Sequence, residues 1–573
     1  MADFDTLLRN GTIVDGTGSP RHQADIGLRD GRIAAVGDLS SKSSDRVLDI
    51  RGQIVAPGFI DIHTHYDAQV FWDPTLSPSS NHGVTTVVGG NCGFSIAPLS
   101  PDAGDYLTRM LARVEGMPLE SLQQGVPWNW TSFAEYLESF EEDLAINAGF
   151  MVGHSALRRV VMGEKAVGHE ADEQEIAAMV DLLHESLRGG GLGFSSSVAP
   201  THNDGDGQPV PSRHAAREEL IALAGALREH EGTSLEFLPG VGPFQPAEQE
   251  MMADLSCASQ RALNWNVLVV NSYQPDHPAH QLGAADFAAE RGGRVIALTL
   301  PQVMSLRLNF VSGFIFDALP GFAEIIALPL PERIEKLADP AVRADLAERA
   351  ASPDAGAMGF FANWGIYRID EAFSSATKAH EGRTVAEIAQ AENKTTFDAM
   401  LDIAVADKLK TSFKPDMPGD DEQSWNLRAK VWQDERTVIG ASDAGAHLDM
   451  IDTFAVSTML LGPGVREKKL LSLEEAVHQL TDIPGRLYGF TDRGRIAEGW
   501  HADLVIFDEN TIGAGPVHTR EDLPGGAARL YAEAEGISRV IVAGVDILVD
   551  GEPTGATPGQ VMRSGIDTAG TAL

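Results

Sequence analysis

Cysteine is nearly absent: Cys92 and Cys257 are the only two in 573 residues. So few thiols exclude a disulfide framework and fit a reducing compartment. Long apolar runs are missing too. No stretch of about 18 apolar residues occurs, so no transmembrane helix is expected. The N-terminal MADFDTLLRNGTIVDG lacks a basic segment followed by an apolar one, which gives no secretory signal and makes the cytoplasm the expected location. Positive charge is scarce, with 44 Lys and Arg against 82 Asp and Glu and a net charge of −38. A surface of that sign repels phosphate backbones and anionic bilayers, so neither nucleic acid nor membrane is an expected partner. A small-molecule substrate remains, and self-association into a homo-oligomer is left open. No internal repeat or low-complexity tract interrupts the chain.

Hydrophobic residues make up 43% and charged residues 22%, the balance of an ordinary globular protein with a sizeable core. The first 57 residues carry short β signals, and Asn10-Gly11 and Asp30-Gly31 supply the positive φ angles of hairpin turns. The same texture returns in GRIAEGWHADLVIFD and SRVIVAGVDILVDGEPTG near the other end. One small β-sandwich domain built from residues 1–57 and 487–573 is therefore expected. Between them lie eight short apolar strand candidates: 59–63, 84–90, 148–153, 191–197, 233–237, 266–271, 294–300 and 437–442. Strands of this kind are buried on both faces, as in parallel sheets. The intervals show helical periodicity: Ile176, Met179, Val180, Leu183 and Leu187 form one stripe in 172–188, and 213–230 and 246–263 behave alike. Eight such units predict an α/β fold, a (β/α)8 TIM barrel over 58–486. The stretch 302–436 is too long for a connection and predicts an inserted subdomain before the last barrel strand, a lid or pocket wall.

The chemistry starts in GFIDIHTHYDAQ. His63 and His65 are two apart on an extended chain and so point the same way. At the end of the first strand they would face the mouth where barrel active sites form, although a hydrogen-bonded structural pair is the plainer alternative. Asp443, in TVIGASDAGAH, ends the eighth strand beside the first and adds a carboxylate, giving an open, catalytic type of metal site. Cys92, in VVGGNCGFSIAP, ends the second strand and offers a thiolate; Cys257, in mid-helix, reads as core filling. Loop candidates for substrate contact are His154, His202 and His447, together with Arg158, whose guanidinium could pair with a substrate carboxylate. Ser195, Ser196 and Ser197 have no GxSxG elbow and read as polar lining.

PGFIDIHTH, NCGFSIAP, GHSALR, GLGFSSS and GASDAGAH, framed by split β ends, resemble the amidohydrolase superfamily and its D-aminoacylase-like branch over about residues 5–510. The resemblance implies a metal-dependent hydrolase of a non-peptide amide C–N bond, with an N-acyl amino acid as substrate and one or two zinc or other divalent ions. It carries His63, His65, Cys92 and Asp443 over as metal ligands, with Asp443 moving the proton. The branch also takes a histidine from each of strands five and six. Here strand five offers Glu236, a ligand or general acid/base, and strand six offers Asn271, which would polarise the substrate carbonyl. No arginine follows strand eight, where the branch binds the amino acid carboxylate and this chain reads GAHLDMIDTF. A lactone, cyclic-amide or other amide hydrolase, and a metal-free structural homologue, are the alternatives.

Overall fold

The computed structural model of the chain describes residues 2–240 and 242–570. Five strands come first: β1 (Phe4–Ile13), β2 (His22–Arg29), β3 (Arg32–Gly37), β4 (Ser44–Asp49) and β5 (Ile54–Pro57). Asp30 and Gly31 join β2 to β3 with φ of 50° and 74°, the two positive angles a two-residue hairpin turn requires. Asn10 corrects the expectation. Its φ is 64°, but it lies inside β1, where the register to β2 slips between Leu8 and Gly11. The pair makes a bulge and not a turn, because β1 changes parallel partner there, from β4 up to Arg9 to β5 from Thr12.

Parallel strands and helices then alternate. The order is β6 (Phe59–Asp61), β7 (Val84–Gly89), α1 (Gly104–Val114), α2 (Leu119–Gly125), α3 (Phe133–Glu138), β8 (Asn147–Phe150) and β9 (Val152–Gly153). It continues with α4 (His154–Met162), α5 (Glu173–Arg188), β10 (Gly193–Ser197), α6 (Arg217–Ala226), β11 (Ser234–Leu238), α7 (Pro246–Ser259), β12 (Leu263–Leu268), α8 (His277–Glu290) and β13 (Val295–Thr299). α5 shows why such segments are helical. Asp172 accepts from the Gln174 and Glu175 amides while Glu175 reaches back to its own N–H, and the stripe Met179, Leu183, Leu187 is buried. β12 starts at Leu263, not at 266, because Asn264 and Asn266 alternate with buried Leu263 and Trp265, while Val269, past its end, is 47% exposed. Cys257, expected as core filling, is half-buried on α7 with Sγ against the Arg291 carbonyl.

Between β13 and the next parallel strand lie α9 (Phe322–Ile326), α10 (Leu330–Ala338), α11 (Pro340–Ala350), β14 (Tyr367–Glu371), α12 (Val385–Glu392), α13 (Thr396–Ala406), β15 (Ser412–Pro415) and α14 (Glu422–Trp432). Residues from Leu306 to Phe413 pack into an apolar core of their own around Phe316, Trp364 and Tyr367, joined by Met450 and Ile451. α14 instead buries Trp425 and Trp432 in the main core. After β16 (Thr437–Ile439) come the helices α15 (Val456–Met459), α16 (Leu473–Leu480) and α17 (Asp482–Tyr488), and the chain then ends in short strands: β17 (Leu504–Phe507), β18 (Gly513–Ala514), β19 (His518–Arg520), β20 (Arg529–Tyr531), β21 (Ala534–Glu535), β22 (Ile537–Val542), β23 (Val545–Val549) and β24 (Glu552–Pro553).

Both chain ends share one mixed sheet of nine strands, in the order β24-β23-β22-β17-β5-β1-β2-β3 with β4 on β1. The parallel strands form two sheets, β6-β7-β8 and β16-β13-β12-β11-β10-β9. Met151 alone separates β8 from β9. On the far side Thr64 bridges Ala444 in parallel, the Asp443 N–H donates to the His63 carbonyl (3.1 Å) and the His65 N–H to the Ala444 carbonyl (2.7 Å). The fold is thus mixed α/β. No helix among the described residues is long and apolar enough to cross a membrane.

Candidate metal centre

His63 and His65 follow β6 with Thr64 between them. Thr64 donates its N–H (3.0 Å) and its hydroxyl (2.8 Å) to the Val88 carbonyl of β7, and alternation turns both imidazoles to the opposite side. Asp443 arrives after β16. Its Oδ1 lies 3.0 Å from His65 Nε2 and 3.4 Å from His63 Nε2. Cys92 arrives after β7 with Sγ 3.6 Å from His63 Nε2, and its N–H donates to Glu236 Oε2 of β11 at 2.9 Å. Ligand atoms of His63, His65 and Cys92 all lie within 4.8 Å of one another. Asn266 of β12 places Nδ2 3.2 Å from His63 Nε2, and Glu115, just past α1, places Oε1 3.5 Å from His65 Nδ1. Cys92, Asp443 and His447 are held at φ of 55°, 56° and 47°. Such left-handed backbone costs a non-glycine residue of order 1–3 kcal/mol and collects where the surrounding structure fixes side chains for function.

The electrostatics are lopsided. Burial pushes the Glu236 carboxyl up to about 8, Glu115 to about 7 and Asp67 to about 6. Burial would raise Asp443 as well, but hydrogen bonds from His63 and His65 and their charge hold it well below the usual carboxylate range. Burial opposes charge on His65, yet Glu115 and Asp443 together push it up to about 9; burial lowers His63. Burial, reinforced by Glu236, drives the Cys92 thiol far up. Among the described residues only imidazoles pair with these carboxylates. A cation fits such a set. Imidazole, thiolate and carboxylate are the groups zinc takes, and Glu236 Oε1 and Asn266 Oδ1 are buried without any hydrogen-bond partner.

Comparison with known proteins places this geometry. Residues 46–546 match the model of the amidohydrolase family. The chain belongs to that family. A D-aminoacylase of Alcaligenes xylosoxydans xylosoxydans is 30% identical over 570 residues, covering 98% of this chain and 97% of its own. A solved D-aminoacylase, described with a binuclear metal centre, superposes with a TM-score of 0.63 at 26% identity over 98% of this chain and 100% of that one. The N-acyl-D-glutamate deacylase of Bordetella bronchiseptica, solved with zinc and a phosphonate mimic of the tetrahedral intermediate, gives 0.65 at 25% identity over the same shares. As a member of the amidohydrolase family the chain is a hydrolase of carbon–nitrogen bonds other than peptide bonds.

Of the residues singled out in the sequence, His63, His65, Cys92, Glu236 and Asp443 meet at this centre. His202 and His447 stand nearby: His202 bonds Ser197 Oγ through Nδ1 (2.8 Å) and lies edge-on to Phe94, and His447 faces Phe314 of the 302–436 segment with ring centroids 4.7 Å apart. Three others are corrected. Arg158 is fully buried, with Nη1 2.6 and 2.5 Å from the two Glu219 oxygens and Nη2 on the His169 carbonyl, so no face is left for a substrate carboxylate. His154 is equally enclosed, between Ser196 Oγ and Glu219 Oε1 at 2.8 Å each. Asn271 lies beyond β12, where its Oδ1 accepts the Tyr273 and Gln274 amides and so fastens a loop instead of a substrate carbonyl. The triple serine braces loops: Ser195 Oγ accepts the Gly93 N–H and donates to the Gly90 carbonyl.

Two residues of the centre escape the sequence reading. Asn266 had a signal in the period-two pattern Asn264, Asn266 among apolar neighbours. Glu115 had one too: an acid directly after α1 opposes the negative end of the helix dipole, so its place there calls for another cause.

Proposed function

We propose that the chain is a divalent-metal hydrolase of N-acyl amino acids. The carrying observation is Asp443 Oδ1 within 3.4 Å of both imidazole Nε2 atoms, with the Cys92 thiol beside them. His63, His65, Cys92 and Asp443 would hold the ion, with the unpartnered Glu236 Oε1 as a further oxygen. When bound, a divalent ion such as zinc lowers the pKa of water to about 7 and polarises the scissile carbonyl. Asp443, kept ionised by its two imidazoles, takes the proton of the attacking water and returns it to the departing amine. Asn266, with Oδ1 unpartnered, and His202 and His447 are the polar groups available to orient the acyl chain and amino acid. The D-aminoacylase and N-acyl-D-glutamate deacylase similarities support the substrate class.

The same reading closes the two parallel sheets into one (β/α)8 barrel, supported by the near continuity of β8 with β9 and by the Thr64–Ala444 bridge. In it residues 58–486 form the barrel, 302–436 an inserted lid, and 1–57 with 487–573 the β domain. A cytoplasmic setting is supported by the two unpaired cysteines. The test is metal analysis with a screen of the zinc-reconstituted protein over N-acyl-D- and N-acyl-L-amino acids, cyclic amides and lactones. N-Acyl amino acid turnover that is lost in His63→Ala together with the metal is expected. A protein that retains no metal would be a scaffold instead, and turnover confined to lactones or cyclic amides would replace the substrate class.

A further inference from the structure

Glu115 belongs to no metal-ligand set described so far. It comes from outside the parallel sheets, at the end of α1, yet it is only 3% exposed and reaches the imidazole of His65 on the side away from Asp443. Glu115 Oε1, His65 and Asp443 Oδ1 form a row: 3.5 Å to Nδ1 on one side and 3.0 Å from Nε2 on the other. Contacts of the backbone and of a neighbouring side chain fix the turn that carries Glu115. The Glu115 N–H closes the last turn of α1 on the Leu111 carbonyl (3.0 Å), and its own carbonyl accepts the His447 N–H at 2.5 Å. Gly116, at φ 57°, then lets the chain pass His447, whose Cα lies 3.2 Å from where a Cβ would stand. Arg113 pairs with Asp317 of the 302–436 segment and anchors the same turn from the other side.

We propose that Glu115 is a positioning residue for the metal centre: its carboxylate holds the proton of His65 on Nδ1, so that the Nε2 lone pair faces the ion. A neutral imidazole carries one N–H, and the acceptor at one nitrogen decides which nitrogen is free to coordinate. Carboxylate partners of this kind raise the basicity of a ligating histidine and fix its ring, and losing one costs about 10- to 100-fold in metal affinity. The inference rests on the metal-hydrolase reading, and its test separates the two.

The full-length protein is stripped of metal, and zinc affinity is measured by competition with a chelator for wild type, Glu115→Gln and Glu115→Ala, with the cobalt(II) visible spectrum as a second readout. Glu115→Ala should bind zinc about 10- to 100-fold more weakly, with a shifted cobalt spectrum. Glu115→Gln should lose less, because its amide oxygen can take the same place beside Nδ1. A purely structural role would lower the melting temperature of the metal-free protein and leave zinc affinity and the cobalt bands unchanged in the folded Ala variant, which would overturn the proposal. Wild type without zinc affinity would overturn the metal reading and this one with it. Tight zinc in wild type and in both variants would sink only the role of Glu115.

Discussion

Two buried acid–histidine clusters sit within this fold, and they are solved in opposite ways. In one, Glu219 of α6 is enclosed by His154 and Arg158, with three contacts of 2.5 to 2.8 Å, and although burial would raise its carboxyl these partners hold it below the usual value. In the other, Glu115 and Glu236 share a site with two imidazoles and, among the described residues, no guanidinium, and burial pushes both up. A cluster that carries its own fixed cation is complete and holds helices together. A cluster that lacks one is left short of positive charge, and that is the signature of a place for an ion from solution.

The strongest way to break this comparison is to remove the internal cation's partner. Glu219→Gln leaves the buried Arg158 guanidinium uncompensated and should cost about 3–5 kcal/mol of stability, read from denaturant midpoints, while the zinc content per folded molecule stays at the wild-type value. If the variant kept its stability but lost zinc, the two clusters would have exchanged roles. Glu236→Gln should do the converse: zinc is weakened, and the metal-free protein is no less stable, since a buried carboxyl without a counter-charge is replaced by a neutral amide.

His82 sharpens the same point, as a buried imidazole with neither acid nor cation beside it among the described residues. Thr458 Oγ1 lies 2.7 Å from Nδ1 and the Ala532 carbonyl 3.1 Å from Nε2, and burial drives it down to about 4 despite the carbonyl. Its folded pKa lies below the unfolded value of 6.5. The unfolded chain therefore takes up the proton first, so the contribution is complete above about pH 6.5 and is lost as the pH falls towards 4. The whole window is worth on the order of 3 kcal/mol. Denaturant midpoints of wild type and His82→Gln between pH 7 and 4.5 test it, and parallel pH slopes would refute it.

Legibility in the sequence followed the same division. His63, His65, Cys92 and Asp443 could be found because each lies at the carboxyl end of a parallel strand, and the Thr64–Ala444 bridge brings the ends of β6 and β16 together. Arg158 and His154 misled because a sequence does not say which polar groups a neighbouring helix will enclose; Glu219, which claims both, lies far along the chain on α6. Asn266 was lost to strand phase, since the apolar run VLVV drew the strand three residues too late and moved attention to Asn271. Glu115 was lost because its approach depends on how α1 ends and on Gly116, which is tertiary information.

The smallest expected effect completes the comparison, and it concerns the two thiols. Cys257 is half-buried on α7 with Sγ 3.4 Å from the Arg291 carbonyl. Cys257→Ser should change stability by no more than about 0.5 kcal/mol and leave zinc untouched. Cys92→Ser should give a folded protein that loses zinc on dialysis, because a hydroxyl is a poorer partner than a thiolate for that ion. Burial and Glu236 push the thiol of Cys92 far up, and a bound cation would supply charge that favours its thiolate. Thiolate absorbance in the ultraviolet on adding zinc or cadmium to metal-free wild type is the measurement. Its appearance in Cys257→Ser and absence in Cys92→Ser would tie the ion to the cluster that lacks a cation of its own; equal absorbance in both variants would detach Cys92 from the centre.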